Sequence, residues 1–214
     1  GKYIFLLGGD DLFLPEKIKM QVEFMEKNLH TWIAYHNVEV FDSASNHTLY
    51  FYNNRHKAYS GGASYIIEHG TFCCGTSVAV RNENLPLCRE DVRYSSDWLW
   101  YVDILKRNEN SIISYMDGVY ARYRRHQNNI TTELSCNILK GLSEVEASLN
   151  LMLNSYPEEI AAIKKSFAER WCAYALKALL KGNFLLMVNL ICKSFRMDLF
   201  GFWYFLKRRI YFIK

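Results

Sequence analysis

The stretch Lys2-Tyr3-Ile4-Phe5-Leu6-Leu7-Gly8-Gly9-Asp10-Asp11-Leu12-Phe13-Leu14-Pro15 constrains the chain more than any other. A run of aromatic and aliphatic residues stops at two glycines and two adjacent carboxylates. A proline then opens a helical pattern. That order reads as a buried strand ending at a sheet edge, with Asp10 and Asp11 presented at its carboxyl end. Two readings of the acids stay open. Carboxylates beside a tight turn suit a hard divalent cation such as Mg²⁺ or Mn²⁺, while Gly and Asp are also ordinary turn formers.

Composition narrows the class. Half of the 214 residues are hydrophobic and 15% are aromatic, which is ample for one packed core with a helical appendage and excludes a disordered chain. The net charge of +4 is too small to argue for nucleic acid. Cysteines stand at 73, 74, 88, 136, 172 and 192, without the spacing of a zinc site, and read as reduced, mostly buried thiols of a cytosolic protein, with an extracellular disulfide scaffold as the minor alternative. The longest apolar candidate, Phe184 to Cys192, falls short of the ~20 residues of a bilayer span and contains Asn189, so no transmembrane helix is expected. The chain opens directly on a strand, with no signal-peptide pattern; a strand without a partner before it is expected to be cut from the middle of a domain.

Behind Pro15, the spacing of Ile18, Val22 and Met25 predicts a helix that ends at Lys27-Asn28. Trp32 to Phe41 and Thr48 to Tyr52 predict an antiparallel pair about a turn at Asp42 to Asn46. Gly61-Gly62 reads as a loop, and Tyr65 to Glu68 is too short to assign. From His69 to Arg81, glycines and small hydroxyl residues lead into an alternating strand. Amides near Gly75 could face a sugar or phosphate there, or belong to a plain turn. Ser95 or Ser96 is a good N-cap for an aromatic-rich helix whose first turn holds Asp97. An acid there is favoured by the helix dipole whatever else it does. Glu90-Asp91 is a rival acidic pair.

Ile112 to Tyr115 and Val119 to Arg125 read as two strands about a turn at Asp117-Gly118. The second runs into Tyr123-Arg124-Arg125-His126-Gln127-Asn128-Asn129-Ile130-Thr131. Such a cluster suits phosphate, because guanidinium forks match phosphate oxygens. It also suits a nucleic-acid patch or a charged edge strand. From Glu133 the pattern is helical, with a start at Pro157-Glu158-Glu159, a stop at Lys181-Gly182-Asn183 and a second helix of a hairpin over Phe184 to Phe195. The aromatic, basic tail 200–214 suits either an anionic membrane surface or packing against protein.

Three of these segments, in this order, resemble the motifs of family 2 glycosyltransferases of the GT-A fold. Gly1 to Phe24 is similar to the family's central Asp-Gly-Asp-Asp turn and Leu-Pro-x-Lys helix start, with Gly8 in place of the first Asp. Asp97-Trp98-Leu99-Trp100-Tyr101 resembles the acidic motif that holds the general base, with Ser96 where many relatives carry Glu. Tyr123 to Thr131 resembles the carboxyl-terminal motif of the bacterial enzymes. The resemblance implies an α/β, GT-A-like fold, a mixed Rossmann-like sheet flanked by helices. Residues 1–131 would form the carboxyl-terminal two-thirds of the catalytic domain and 132–214 an α-helical extension. It implies Mn²⁺ or Mg²⁺ on Asp10 and His126, donor contacts from Asp11, Gly75, Arg124 and Arg125, and Asp97 as base. The implied reaction is inverting transfer from a nucleotide-sugar to a glycan or lipid-linked acceptor, in bacterial surface polysaccharide synthesis. The implied location is cytoplasmic or peripheral on the inner membrane face, with no nucleic-acid partner. Gly8 and Ser96 keep open a binding module that retains the fold without the chemistry.

Overall fold

The alternation expected from Trp32 to Phe41 becomes the longest buried strand, β3 (Thr31–Asp42), with Ile33, Ala34, Tyr35, Val38 and Val40 fully enclosed. A computed structural model of the chain describes residues 1–70, 72–127, 129 and 137–210, with backbone alone at 208–210. Around β3 stand β1 (Tyr3–Phe5), β2 (Leu12–Phe13), β4 (Thr48–Phe51), β5 (Ala79–Arg81) and β6 (Ile112–Arg125). They form one mixed sheet in the order β1-β5-β3-β6-β2, with β4 also paired to β3. The pair β3–β6 is parallel and all other pairs are antiparallel. On one side of β3, β5 covers Ile33 and Ala34 and β4 covers Glu39 to Phe41, so a long strand serves two short neighbours. Helices flank the sheet, which makes the fold mixed α/β.

The chain divides into two compact units, one of Gly1–Ile66, Gly70–Arg89 and Asp97–Asn129, the other of Ile67–His69, Glu90–Ser96 and Ile130–Lys214. The expected boundary at 131/132 lies outside the described residues.

Several local expectations change in the first unit. The opening strand, expected to be buried, is a short edge strand antiparallel to β5, with Ile4 37% exposed. Tyr3 and Phe5 alone lean on the core of Met25, Ala34 and Ala79. Tyr65 to Glu68 is helical, within a helix at Ala63–His69. The two strands expected about Asp117-Gly118 are one strand, β6. Its register with β3 jumps from His36↔Met116 to Asn37↔Val119, so Asp117 and Gly118 bulge out of the ladder. Gly118 has φ +114°, and a Cβ there would lie 2.4 Å from the Tyr120 ring, so the bulge requires glycine.

The second unit is helical: Ile138–Ser155, Ile160–Leu180 after a tight turn at Pro157–Glu159, Phe184–Met197 and Gly201–Ile210. The stop at Lys181-Gly182-Asn183 is as expected, with Gly182 at φ +73°. A Cβ at Gly201 would stand 2.4 Å from that of Ala168, so the last helix starts in close contact with Ile160–Leu180. Among the described residues no helix is long and apolar enough to cross a membrane.

The helix α1 (Lys17–Lys27) forms where expected and encloses Met25 as expected, but its buried face turns toward Lys17 and Gln21 rather than Ile18 and Val22. Ile18 is 55% exposed, whereas Lys17, Gln21 and Met25 are enclosed. The Gln21 amide donates to the carbonyls of Ala34 and Ser77, at 3.1 and 2.8 Å. The Lys17 ammonium donates to Gln21 Oε1 and lies over the rings of Phe5 and Phe13, 5.4 and 4.6 Å from their centroids. Burial lowers the Lys17 pKa from 10.5 to about 7. The unfolded chain therefore binds more protons between those values, and this residue's contribution to stability rises with pH across the window and is flat below it. Lys17→Met should stabilise the protein at pH 7 by up to about 5 kcal/mol, less what the rings and Gln21 return to the charged form. Urea unfolding should show the difference between wild type and variant shrinking toward pH 10.

Candidate functional site

The short ladder β2–β6 assembles the site. Leu12 pairs with Arg122 and Phe13 with Ala121, and the Leu14 amide donates to the Tyr120 carbonyl at 2.9 Å. The residues just before β2 are thereby carried to the end of β6. There the Arg124 amide donates to Asp11 Oδ1 at 2.9 Å, and the Arg124 guanidinium donates through Nε to the Asp10 carbonyl at 2.7 Å. Asp10 Oδ2 meets His126 Nε2 at 2.8 Å. Facing a carboxylate, that nitrogen carries the proton and donates it.

Each partner has a local reason to be where it is. The Gly8-to-Asp11 turn closes by the Asp11 amide donating to the Gly8 carbonyl at 3.2 Å. A Cβ on Gly8 would stand 2.7 Å from Asp11 Oδ2, so the space a larger side chain would need is already taken by that carboxylate. Strand alternation puts Arg122 and Arg124 on one face, both over the Phe41 ring at 4.1 and 4.7 Å. Arg122 is committed to a two-pronged pair with Glu39 at 3.0 Å for each prong. Arg125 shares the opposite face with Tyr123, and its carbonyl accepts from the Ser43 amide at 2.9 Å. Of the two arginines named from sequence, Arg124 bonds to both aspartates.

Sequence reasoning assigned no role to Asn129. Its Oδ1 accepts from the His126 amide at 2.6 Å and its Nδ2 donates to the Arg124 carbonyl at 3.2 Å, so it clamps the chain on both sides of Arg125 and fixes where the His126 ring emerges. The asparagine in the sequence motif was the available signal.

Asp97 lies in the first turn of α4 (Ser96–Arg107), where its Oδ1 accepts from the Trp98 amide at 2.8 Å. Beyond this turn α4 is enclosed on all sides from Trp98 to Leu105, so the acid rests on a rigid element. The Ser95 hydroxyl, one of the two expected caps, pairs with Ser148 Oγ at 2.5 Å. Asp97 reaches water, yet the protein crowded around it raises its carboxyl above the ordinary range. The Cys74 thiol is pushed up to about 12, by burial first and then by the charges of Asp11 and Asp97, which places both carboxylates within electrostatic reach of one sulfur. Gly75 follows, exposed at the start of the tight turn Gly75–Ser77, and a Cβ there would meet nothing within 4 Å. Nearby, the buried Thr76 and Tyr101 hydroxyls have no hydrogen-bond partner among the described residues.

Asp11 is half-buried, and burial raises its carboxyl above the usual value. The Arg124 amide opposes that rise and the Asp10 charge adds to it. Among the described residues no group of three or more His, Cys, Asp and Glu side chains is arranged to hold a metal ion; Asp10 and His126 are two such donors in contact. Asp11→Ala should free the Arg124 amide and speed its hydrogen exchange by roughly tenfold or more, while amides of β3 keep their protection. No protein-family model matches the chain and no curated protein matches it in sequence.

Proposed function

We propose that the chain is a metal-dependent, GT-A-type glycosyltransferase that moves a sugar from a nucleotide-diphosphate sugar to an acceptor hydroxyl with inversion. Acceptors would be glycans or lipid-linked glycans of the bacterial surface, met at the cytoplasmic side of the membrane. On this reading residues 1–131 carry the catalytic fold and 132–214 extend it. The observation that carries the proposal is the contact of Asp10 with His126, 116 residues apart and drawn from separate motifs.

The donor pair fits Mg²⁺ or Mn²⁺. Asp10 Oδ2 and His126 Nε2 stand 2.8 Å apart, close enough for both to hold one ion. Two protein donors suffice where substrate phosphates and water complete the shell. Asp10 and His126 would hold the ion in place of the proton they share, so binding weakens as pH falls. When bound, the ion supplies counter-charge to the diphosphate leaving group. Asn129 keeps the His126 backbone in place for that role. Arg124 uses Nε on the Asp10 carbonyl, and its terminal N–H groups suit a phosphate. Gly75 leaves room for a ligand to approach the backbone, a contact suited to the donor's sugar or phosphate. Asp97 would accept the proton of the acceptor hydroxyl as that oxygen attacks the anomeric carbon.

A binding module without chemistry is the second reading, favoured by Gly8, where another carboxylate would have to displace that of Asp11. Turnover separates the two. Asp10→Ala and His126→Ala should each lower metal-dependent consumption of nucleotide-sugar by roughly 100-fold or more. Loss of donor binding in these variants, with no turnover in wild type, would favour the module.

Asp97→Asn should leave donor affinity within about twofold and lower turnover by roughly 10²–10⁴-fold. Near-normal turnover in that variant would remove Asp97 from the role of base. Because the base must be ionised and its carboxyl is raised, kcat/KM should fall as pH drops through a value above the ordinary carboxylate range. The residual activity of Asp97→Asn should lack that limb.

A further inference from the structure

The helix α7 (Phe184–Met197; counting Tyr52–Arg55, Ala63–His69, Ile138–Ser155 and Ile160–Leu180 as α2, α3, α5 and α6) buries one side and leaves a second apolar side bare. Leu190 and Ser194 face inward, where the Ser194 hydroxyl donates to the Ala168 carbonyl at 2.8 Å. Phe184, Leu185, Val188, Cys192 and Phe195 are all exposed, Leu185 at 84% and Phe184 at 62%. At 3.6 residues per turn these five positions fall within an arc of about 100°. Leu199 and Phe200 in the following turn, and Trp203 in α8 (Gly201–Ile210), are exposed as well. Contiguous apolar surface of this kind marks a contact.

Charge identifies the partner. Residues 177–214 carry eight Lys and Arg against Asp198 alone, net +7, in a chain whose net charge is +4; residues 1–176 are therefore net −3. Exposed Arg196 borders the apolar arc of α7. We infer that the bare face of α7, with the aromatic turn and α8 behind it, docks on an anionic lipid bilayer. The apolar side chains enter the acyl boundary, and the basic residues reach the headgroups. A second copy fits this face poorly, because a two-fold contact would set one cationic patch against another. Since no described helix can cross a bilayer, α7 lies in the surface plane. The membrane contact expected of the 200–214 tail is thus extended to a helix before it. This inference stands independently of the transferase reading.

The test is flotation of the full chain with vesicles of phosphatidylglycerol and phosphatidylcholine in equal parts, against phosphatidylcholine alone. The protein should float with the anionic vesicles, far less with the neutral ones, and less as salt rises. Leu185→Glu/Val188→Glu should lose at least about tenfold in partitioning. Arg196→Gln/Lys207→Gln should lose roughly 25-fold at low salt, about fivefold per charge. Circular dichroism and the thermal midpoint confirm that each variant is folded. No flotation of the wild type, equal binding to neutral vesicles, or undiminished binding by either folded variant would overturn the inference. So would a dimer in sedimentation that Leu185→Glu/Val188→Glu dissociates, which would assign the face to a second copy.

Discussion

The carboxylate of Asp11 on the backbone amide of Arg124 is the interaction on which the candidate site depends. It pins a loop near the start of the chain to the far end of β6. The geometry behind it is the bulge at Asp117-Gly118. Before the bulge, β6 is an inner strand parallel to β3; after it, β6 also carries β2 on its other side. A regular ladder through Asp117 and Gly118 would shift β6 by two residues against β3, moving Arg124 about 7 Å along the strand while leaving the faces of Arg122, Tyr123 and Arg124 as they are. One glycine with φ +114° therefore sets how far along β6 Arg124 stands when it meets Asp10 and Asp11.

The interior of the first unit is unusually polar, and this is where sequence pattern misled. Arg81 is buried, donating to the carbonyls of Thr31 and Met25 at 2.9 and 2.5 Å and to the Tyr3 hydroxyl at 3.1 Å. It ties β1, the end of α1 and the start of β3 together. Gln21 performs the same service between α1, β3 and the Gly75–Ser77 turn. A hydrophobic-periodicity reading assigns such residues to solvent and puts Ile18 and Val22 inside, because it scores side chains by transfer energy and is blind to carbonyls that need a donor. Burial has its electrostatic consequence at His36, held down to about 4 by desolvation.

The parts that were legible are those where chemistry is local. The strand Trp32 to Phe41, the turn at Asp42 and the stop at Gly182 follow from alternation, from an aspartate that accepts the amides of Ala44 and Ser45, and from a glycine in the left-handed region. The pairing of Asp10 with His126 was legible only as the coincidence of separate motifs, since no local rule joins residues so far apart. Asn129 escaped for the opposite reason: its side chain acts on neighbouring backbone, and an asparagine in a loop is too common to mark.

The charge balance around Cys74 gives the candidate site its chemical direction. Asp11 and Asp97 both act on this thiol, and Asp10 in turn raises Asp11. The neighbouring thiols and phenol stay uncharged at neutral pH: burial pushes Cys74 up to about 12 and raises Cys73 and Tyr101 as well. Neutral thiols and a phenol neither add to the negative field nor relieve it. Relief must come from Arg124, held to the Asp10 carbonyl, from His126, or from a cation brought in with a ligand. On the reading proposed above, a diphosphate arriving with a divalent ion would meet less repulsion from these carboxylates than a bare one. Burial is what raises the Asp97 carboxyl, so a cation held on Asp10 and His126 would leave the strength of that base largely unchanged.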